Sequence, residues 1–501
     1  MKRLLCATLD GLEARAVDVE TALHKGLPSF TIVGLGSTAI QESKERVKAA
    51  LAALGFSFPP LKITVNLSPS DLQKSGSHFD LPIALSIALH DHPLPEQPRY
   101  FFGELGLDGR LKATRTLFPL LLALKNADLI EEAVVPNEAV ANLSLIPGLR
   151  LIGVESLQEA LAFLKGEAKP HIAPPGEIPG ETLNIKKERY YYLRDYPLDF
   201  AEVNGQEQAK RAALIASAGM HNLLLEGSPG VGKSMIAKRL RYILPPLSLP
   251  ELLQSVRYAL LGDEAPDFRP IRPFRAPHHS ASKPSIFGGG TTRARIGETA
   301  LANNGILFFD EFPHFQKSVL EALREPLQDH RVLISRVNAK VSYETRFLFV
   351  AAQNPCPCGN LLSDTRPCRC TEAEIQRYRN RLSDPLLERI ELYVQMREPR
   401  PDDRPSLTSA QLHEKVIEAF HRRVERGQPQ PNGKLDEKGV NQWCILSPEA
   451  ETVLAQAVAR FALSARVSAN IKKVARTVAD LEGSQTVEKP HILEALSFRR
   501  R

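Results

Sequence analysis

The sequence predicts an α/β protein that closes with a helical domain, and three observations carry the prediction. Apolar runs such as Phe30-Thr31-Ile32-Val33, Ile63-Thr64-Val65 and Ala133-Val134-Val135 read as strands, set among helix-periodic stretches such as Ile40 to Leu54 and Leu157 to Leu164. Farther on, the apolar strand Asn222-Leu223-Leu224-Leu225 runs through a glycine-rich turn into a helix from Met235 to Leu240. Beyond residue 400, helical periodicity persists and strand signal fades.

Together these observations order the chain. A mixed α/β domain is expected over 1–167. The Pro- and Gly-dense stretch KPHIAPPGEIPGE predicts a linker over 168–194. A second α/β domain spans 195–398, and the charged, Pro-rich Arg397-Glu398-Pro399-Arg400-Pro401 leads into a small helical domain over 399–501. A hydrophobic share of 43% with 24% charged residues is ordinary for a soluble globular protein. No apolar run approaches the roughly 20 residues that a membrane span needs. The opening MKRLLCATLDGLEAR meets charge too soon for a signal-peptide core. We therefore expect a cytoplasmic protein with no membrane partner. The net charge of +6 permits nucleic-acid binding without arguing for it.

The chemistry concentrates in the second domain. Residues 227–234 read Gly-Ser-Pro-Gly-Val-Gly-Lys-Ser, a full G-x-x-x-x-G-K-[ST] match between a strand and a helix. Gly227, Gly230 and Gly232 let the backbone turn its N–H groups onto phosphate oxygens, with Ser228, Pro229 and Val231 completing the loop. The helix N-terminus adds positive dipole. Lys233 is placed to reach the β- and γ-phosphates of ATP, and the Ser234 hydroxyl to ligate Mg²⁺. Gly305-Ile306-Leu307-Phe308-Phe309 forms a second buried strand ending in Asp310, suited to the Mg²⁺ shell, and Glu311, suited to polarising the attacking water. A third strand, Phe347 to Ala352, delivers Gln353-Asn354, and Asn354 fits the water-orienting sensor 1 role of AAA+ proteins.

Two arginines complete the set. Arg389, in Leu386-Leu387-Glu388-Arg389-Ile390-Glu391, suits an arginine finger offered to a neighbouring subunit's γ-phosphate. Its alternative is an ion pair with Glu388 or Glu391. Arg466, in Ser464-Ala465-Arg466, is a candidate sensor 2 that folds back onto the nucleotide, in competition with Lys472, Lys473 and Arg476.

These elements and their surroundings resemble the magnesium-chelatase-like AAA+ proteins called ComM or YifB. The matching passages are Gly26-Leu27-Pro28, FTIVGL (30–35), FDLPIAL (79–85), Phe102-Gly103-Glu104-Leu105, GQEQAKRAA (205–213), APHHSAS (276–282), Gly288-Gly289-Gly290, NPCPCGN (354–360) and ARTVADL (475–481). They are spread over essentially the whole chain. Arg293-Ala294-Arg295-Ile296 departs from the usual wording, which has a proline there, and Ser228 and Ser234 replace the commoner Pro and Thr. The resemblance implies a P-loop AAA+ module, an α/β core plus helical lid, preceded by a Lon-protease-like (ribosomal S5 domain 2-like) α/β domain. It also implies a homohexamer acting as a DNA helicase on single-stranded and branched DNA, driving branch migration when transforming DNA is recombined into the chromosome.

Two rival functions are weighed on residues. Proteolysis of the Lon type needs a Ser–Lys dyad. Aligned on the protease's motifs, this chain carries Ile83 and Leu120 at those positions, so the first domain is expected to be catalytically inactive. A chelatase motor subunit acting on a porphyrin-loaded partner is the other rival. It is set aside on the expectation that such subunits lack both the N-terminal domain and the cysteine cluster.

That cluster is Cys356, Cys358, Cys368 and Cys370, two C-x-C pairs within the loop 354–371. In a reducing compartment it points to a tetrahedral Zn²⁺ site in preference to disulfides. Two basic segments are expected to meet DNA phosphates. One is 268–297, with Arg272, Arg275 and Lys283 and no acidic residue. The other is a hairpin whose turn lies near Val337-Asn338-Ala339-Lys340, with Arg336 just before it.

Overall fold

The computed structural model describes residues 4–92, 99–169, 171–289, 295–335 and 340–500. The chain forms two compact units: Met1–Ile178 with Asp263–Pro266 and Val337–Val341, and Pro179–Gly262 with Asp267–Arg336 and Ser342–Arg501.

The first unit is built on a seven-stranded sheet. Its order is Ser29–Val33, Lys62–Ser68, Glu13–His24, Leu4–Asp10, Tyr100–Phe101, Glu132–Pro136 and Arg150–Val154. The two pairings of Glu13–His24 are antiparallel and the others are parallel. The helix Asp80–Ala88 is buried from Asp80 through Ile87, and its first residue is a fully buried carboxylate. Arg46 Nε at 2.6 Å, Ser43 Oγ and the Leu105 N–H all donate to Asp80, which offsets part of the cost of burying the charge. Ile83 and Leu120, expected at the positions of a protease dyad, are both 0% exposed and serve packing.

The second unit is built on a five-stranded, all-parallel sheet. Its order is Phe274–Arg275, Ile306–Phe309, Leu348–Gln353, Leu223–Glu226 and Leu392–Gln395. Leu223–Glu226, Ile306–Phe309 and Leu348–Gln353 are buried throughout, as expected of parallel strands covered on both faces. This order sets the carboxyl ends of the three motif-bearing strands side by side, where parallel α/β sheets hold their ligands.

The stretch 168–194 is less of a linker than its Pro and Gly content predicts. Glu181–Ile185 and Glu188–Tyr192 pair as an antiparallel hairpin, and the second of these strands also pairs with Leu247–Ser248. Ile185 and Tyr190 bury against Phe420, which anchors the hairpin in the second unit.

The helical region comprises Ser409–Glu425, Glu437–Trp443, Pro448–Phe461, Ala465–Glu482 and Lys489–Ser497. Thr408 and Gln411 form a capping box on the first of these, and Ser464 Oγ accepts the Val467 N–H on the fourth. Caps of this kind stabilise by about 1 kcal/mol each. Helices Ser409–Glu425 and Ala465–Glu482 pack on Glu207–Gly219. Ala209, Ala212, Ala213 and Ala216 of that helix are buried, and their small side chains allow the close approach. One apolar core therefore runs from Leu223, Ile306 and Val350 in the sheet to Val416, Val474 and Val478 in the helices.

Candidate functional site

The strand–loop–helix passage expected at 222–240 is present, with Leu223–Glu226 leading into the helix Lys233–Leu240. Gly230 and Gly232 have φ of 86° and 95°, the left-handed region that opens the loop toward a phosphate. Lys233 Nζ donates to Gly227 O at 2.6 Å, Ser228 O at 3.0 Å and Asn354 Oδ1 at 3.0 Å. Ser234 Oγ donates to Asp310 Oδ2 at 2.8 Å. Burial lowers the Lys233 pKa, opposed by the Asp310 and Glu226 carboxylates. The geometry thus brings together Lys233, Ser234, Asp310 and Asn354, residues drawn from three different strand ends. A hydroxyl against a carboxylate at a helix N-terminus suits Mg²⁺, and the glycine loop suits polyphosphate.

The four cysteines also converge. Their sulfurs all lie within 4.8 Å of one another, an arrangement able to hold a metal ion. Cys356 Sγ is 3.4 Å from Cys358 and 3.7 Å from Cys368, and Cys358 is 3.6 Å from Cys368. Backbone N–H groups of Arg369 and Asn360 donate to Cys358 and lower its pKa to about 6. The loop also bears on the nucleotide site. A Cβ at Gly359 would fall 2.7 Å from Pro229 Cδ, so only glycine lets the cysteine loop lie this close to the phosphate loop.

Arg389 and Arg466 occupy a separate corner. The Arg389 guanidinium donates to Pro385 O and Gln328 Oε1, not to Glu388 or Glu391. Glu391 instead accepts the Asn222 N–H at 2.8 Å. Burial lowers the Arg389 pKa, and the Arg466 and Arg324 charges lower it further. Its Nε has no hydrogen-bond partner among the described residues.

Arg466, the candidate expected to fold back onto the nucleotide, stands beside Arg389. Arg466 shares Gln328 Oε1 with Arg389, at 3.3 Å, and makes no hydrogen bond to the phosphate loop among the described residues. The start of its helix is held against the Arg389 segment by Ser464 Oγ to Glu388 Oε1 (3.2 Å) and Asn470 Nδ2 to Glu388 O (2.9 Å). The competitor Arg476 is buried and bonded to Asp480, Ser484 O and Gln485 O.

Of the five expected DNA contacts, two are spent inside the fold. Arg272 is buried and donates to the carbonyls of Pro245, Asn304 and Pro246 at 2.8, 2.6 and 2.9 Å, so it is a structural cross-link. Arg275 is paired with Glu298 at 2.6 Å. Glu298 lies one residue beyond the segment that looked free of acid. Lys283 and Lys340 are exposed, and Arg336 lies outside the described residues.

Some residues at the site went unread in the sequence. Glu226, at the end of the phosphate-loop strand, accepts from Gln353 Nε2 and from Tyr393 Oη (3.0 Å), linking three neighbouring strands beneath the loop. Gln328 joins the two arginines. His279 and His314 both face Glu311. His279 is quoted within APHHSAS, but its partner is distant in sequence.

Three family profiles match along the chain. They are "Subunit ChlI of Mg-chelatase" over 19–139, "Magnesium chelatase, subunit ChlI" over 199–403 and "Magnesium chelatase, subunit ChlI C-terminal" over 406–499. A chelatase-subunit profile thus extends over the first domain, so that domain does not set this chain apart from chelatase subunits as expected. The chain is 37% identical to Competence protein ComM of Haemophilus influenzae over 98% of its own length and 95% of that protein's. It is 36% identical to YifB of Escherichia coli, with the same coverage. A short match, 36% identity over 15% of the chain, links it to an archaeal Lon protease of Methanothermobacter thermautotrophicus. No helix among the described residues is long and apolar enough to cross a membrane. The chain belongs to the magnesium-chelatase-like AAA+ family of ComM and YifB.

Proposed function

We propose that the protein is an ATP-driven DNA motor that works as a homohexameric ring in the cytoplasm and drives branch migration during recombination of transforming DNA. The arginine corner carries the ring. Arg389 and Arg466 meet at Gln328 and make no hydrogen bond to their own phosphate loop among the described residues, and Glu388, 4.0 Å from Arg466, answers their like charges only in part, which leaves a place for a further anion. The γ-phosphate in a neighbouring subunit is that anion, with Arg389 as the finger and Arg466 beside it. In each subunit Lys233 grips phosphate, Ser234 and Asp310 hold Mg²⁺, Asn354 orients water and Glu311 accepts its proton. Similarity to a competence protein over nearly the full chain supports the DNA partner, with the exposed Lys283 and Lys340 offering phosphate contacts.

The four thiols fit zinc. Tetrahedral ligands at 2.3 Å from Zn²⁺ stand about 3.8 Å apart, near the 3.4 to 3.7 Å among the Cys356, Cys358 and Cys368 sulfurs, with Cys370 within 4.8 Å. A zinc ion there would brace the loop that Gly359 lays on Pro229.

The reading is tested by ATP-dependent strand displacement and branch migration on forked, three-way and four-way DNA, with ATPase followed in parallel. Junction migration that needs ATP is the expected result. The chelatase profiles keep a second reading in view. Turnover stimulated by a porphyrin-loaded partner and indifferent to DNA would establish that reading in place of this one.

A further inference from the structure

Arg389 follows the four-residue helix Asp384–Leu387, at a helix end where carbonyls have no helical partner. A turn this short does not hold its own end. Two asparagines take up consecutive carbonyls there. Asn470 Nδ2 donates to Glu388 O at 2.9 Å, and Asn222 Nδ2 donates to Arg389 O at 2.8 Å. The two come from different elements. Asn470 lies in the helix Ala465–Glu482, and Asn222 directly precedes the strand Leu223–Glu226 that feeds the phosphate loop. Those elements are fastened to each other by His221 Nε2 and Thr477 Oγ1, 2.7 Å apart.

Asn222 is 2% exposed and is engaged on both sides of its amide. Its Oδ1 accepts the Phe349 N–H at 3.1 Å and Lys434 Nζ at 3.3 Å. Its backbone N–H donates to Glu391 Oε2 at 2.8 Å, and its carbonyl accepts the Leu392 N–H at 3.0 Å. Phe349 belongs to the strand Leu348–Gln353, which leads to Asn354. One buried amide therefore ties the Arg389 segment to the two strands that carry Lys233 and Asn354. Donating from one atom while accepting on its neighbour is what an amide supplies, and neither a carboxylate nor an alkyl group does both.

We propose that Asn222 and Asn470 are positioning residues that fix Arg389 where it can meet the γ-phosphate of a neighbouring copy. The proposal rests on the reading of Arg389 as a finger. A misplacement of about 1 Å at a reacting centre can cost about 100-fold in rate, so two amides on consecutive carbonyls act on chemistry that they never touch. The arginine is thereby set in register with this copy's own nucleotide strands. Capping alone would stabilise the turn and change nothing at another copy's site.

The test uses the full chain with Asn470→Ala and Asn222→Asp. Asn470 is half-buried, so its truncation leaves the core closed. Asn222→Asp keeps the shape and both accepted bonds, with Lys434 as counter-charge, and loses the donor to Arg389 O. In each variant the ATPase kcat should fall about 10- to 100-fold with the KM for ATP unchanged. Mixing either variant with Lys233→Ala should raise turnover per variant subunit, because a Lys233→Ala neighbour still presents a well-placed arginine. Mixing with Arg389→Ala should not. If Asn222→Asp does not fold, Asn470→Ala decides alone. A kcat within about twofold of wild type, or a loss that appears only in KM, overturns the proposal. So does a lack of recovery with Lys233→Ala when the control pair, Arg389→Ala with Lys233→Ala, does recover. A control pair that co-assembles and stays inactive sinks the finger reading, and the positioning role falls with it.

Discussion

The nucleotide corner and the arginine corner both concentrate charge, but they balance it differently. Around Lys233 the cation is answered within the chain, by two loop carbonyls, by Asn354 and by the field of Asp310 and Glu226. Around Arg389 the like charges of Arg466 and Arg324 are set against the carboxylates of Glu388 and Asp329, and a neutral amide, Gln328, bonds both Arg389 and Arg466. The first corner is complete in its donors and acceptors before ATP arrives. The second leaves Arg389 Nε without a hydrogen-bond partner among the described residues. If Arg389 serves a neighbouring copy as proposed, a single polypeptide carries the two halves of a composite site.

The sharpest way to break this comparison is Arg389→Ala. It should lower kcat by about 10³-fold or more while leaving ATP affinity nearly unchanged, because a finger acts mainly in the transition state. Lys233→Ala should weaken nucleotide binding itself. Mixing the two variants should recover activity, since some interfaces then pair an intact phosphate loop with an intact arginine. Mixtures that co-assemble and stay dead at every ratio would return Arg389 to a structural role.

Glu311→Gln should lower kcat by about 10²- to 10⁴-fold, the usual worth of a general base, and should retain bound ATP through a desalting step. Wild-type turnover in that variant would move the base elsewhere. Next in size is the cysteine loop. Metal analysis should find about one zinc per chain. Cys356→Ser combined with Cys370→Ser should release it, lower Tm and raise the KM for ATP, because Gly359 seats the loop on Pro229. Zinc-free wild-type protein, freshly purified without chelator, would rule out the metal.

The smallest effects separate the two kinds of basic residue. Arg272→Ala should destabilise the fold by about 1–3 kcal/mol, since it strands buried carbonyl acceptors, and should leave the salt dependence of DNA binding alone. Lys340→Ala should leave stability alone and reduce the log–log salt slope by about one unit. The opposite pattern in either variant would mean that their roles have been exchanged.

The contrast also explains what could be read in the sequence. Each part of the nucleotide corner is a local pattern, a glycine loop after a strand or an Asp–Glu after an apolar run. The parallel sheet brings such patterns together because strand ends are where loops must emerge. The cysteine cluster was legible for the same reason, with its four thiols spaced along one loop. The arginine corner is a meeting of Gln328, Arg389 and Arg466, separated by 61 residues in one case and 138 in the other. No local pattern encodes that, so the meeting of Arg466 with Arg389 could not be read from the sequence. Arg272 misled differently. A run of cations without acid looks like a solvated patch, yet a guanidinium can be satisfied by carbonyls alone, and carbonyls leave no trace in a sequence. The hairpin at 181–192 was hidden by the Pro and Gly around it, although Tyr190 and Tyr192 sit in a strand-like alternation.

The shared core of sheet and helices has a mechanical consequence. Val416, Val474 and Val478 pack in the same apolar body as Leu223 and Ile306, through an alanine-lined helix that leaves little play. Such a joint transmits torque instead of absorbing it. If the protein works as the proposed ring, compliance would lie at the seams between copies, and each subunit would turn as a stiff lever. Amide exchange can measure that stiffness. Helices Ser409–Glu425 and Ala465–Glu482 should open together with the central strands, at the free energy of global unfolding, and not earlier as an independent flap.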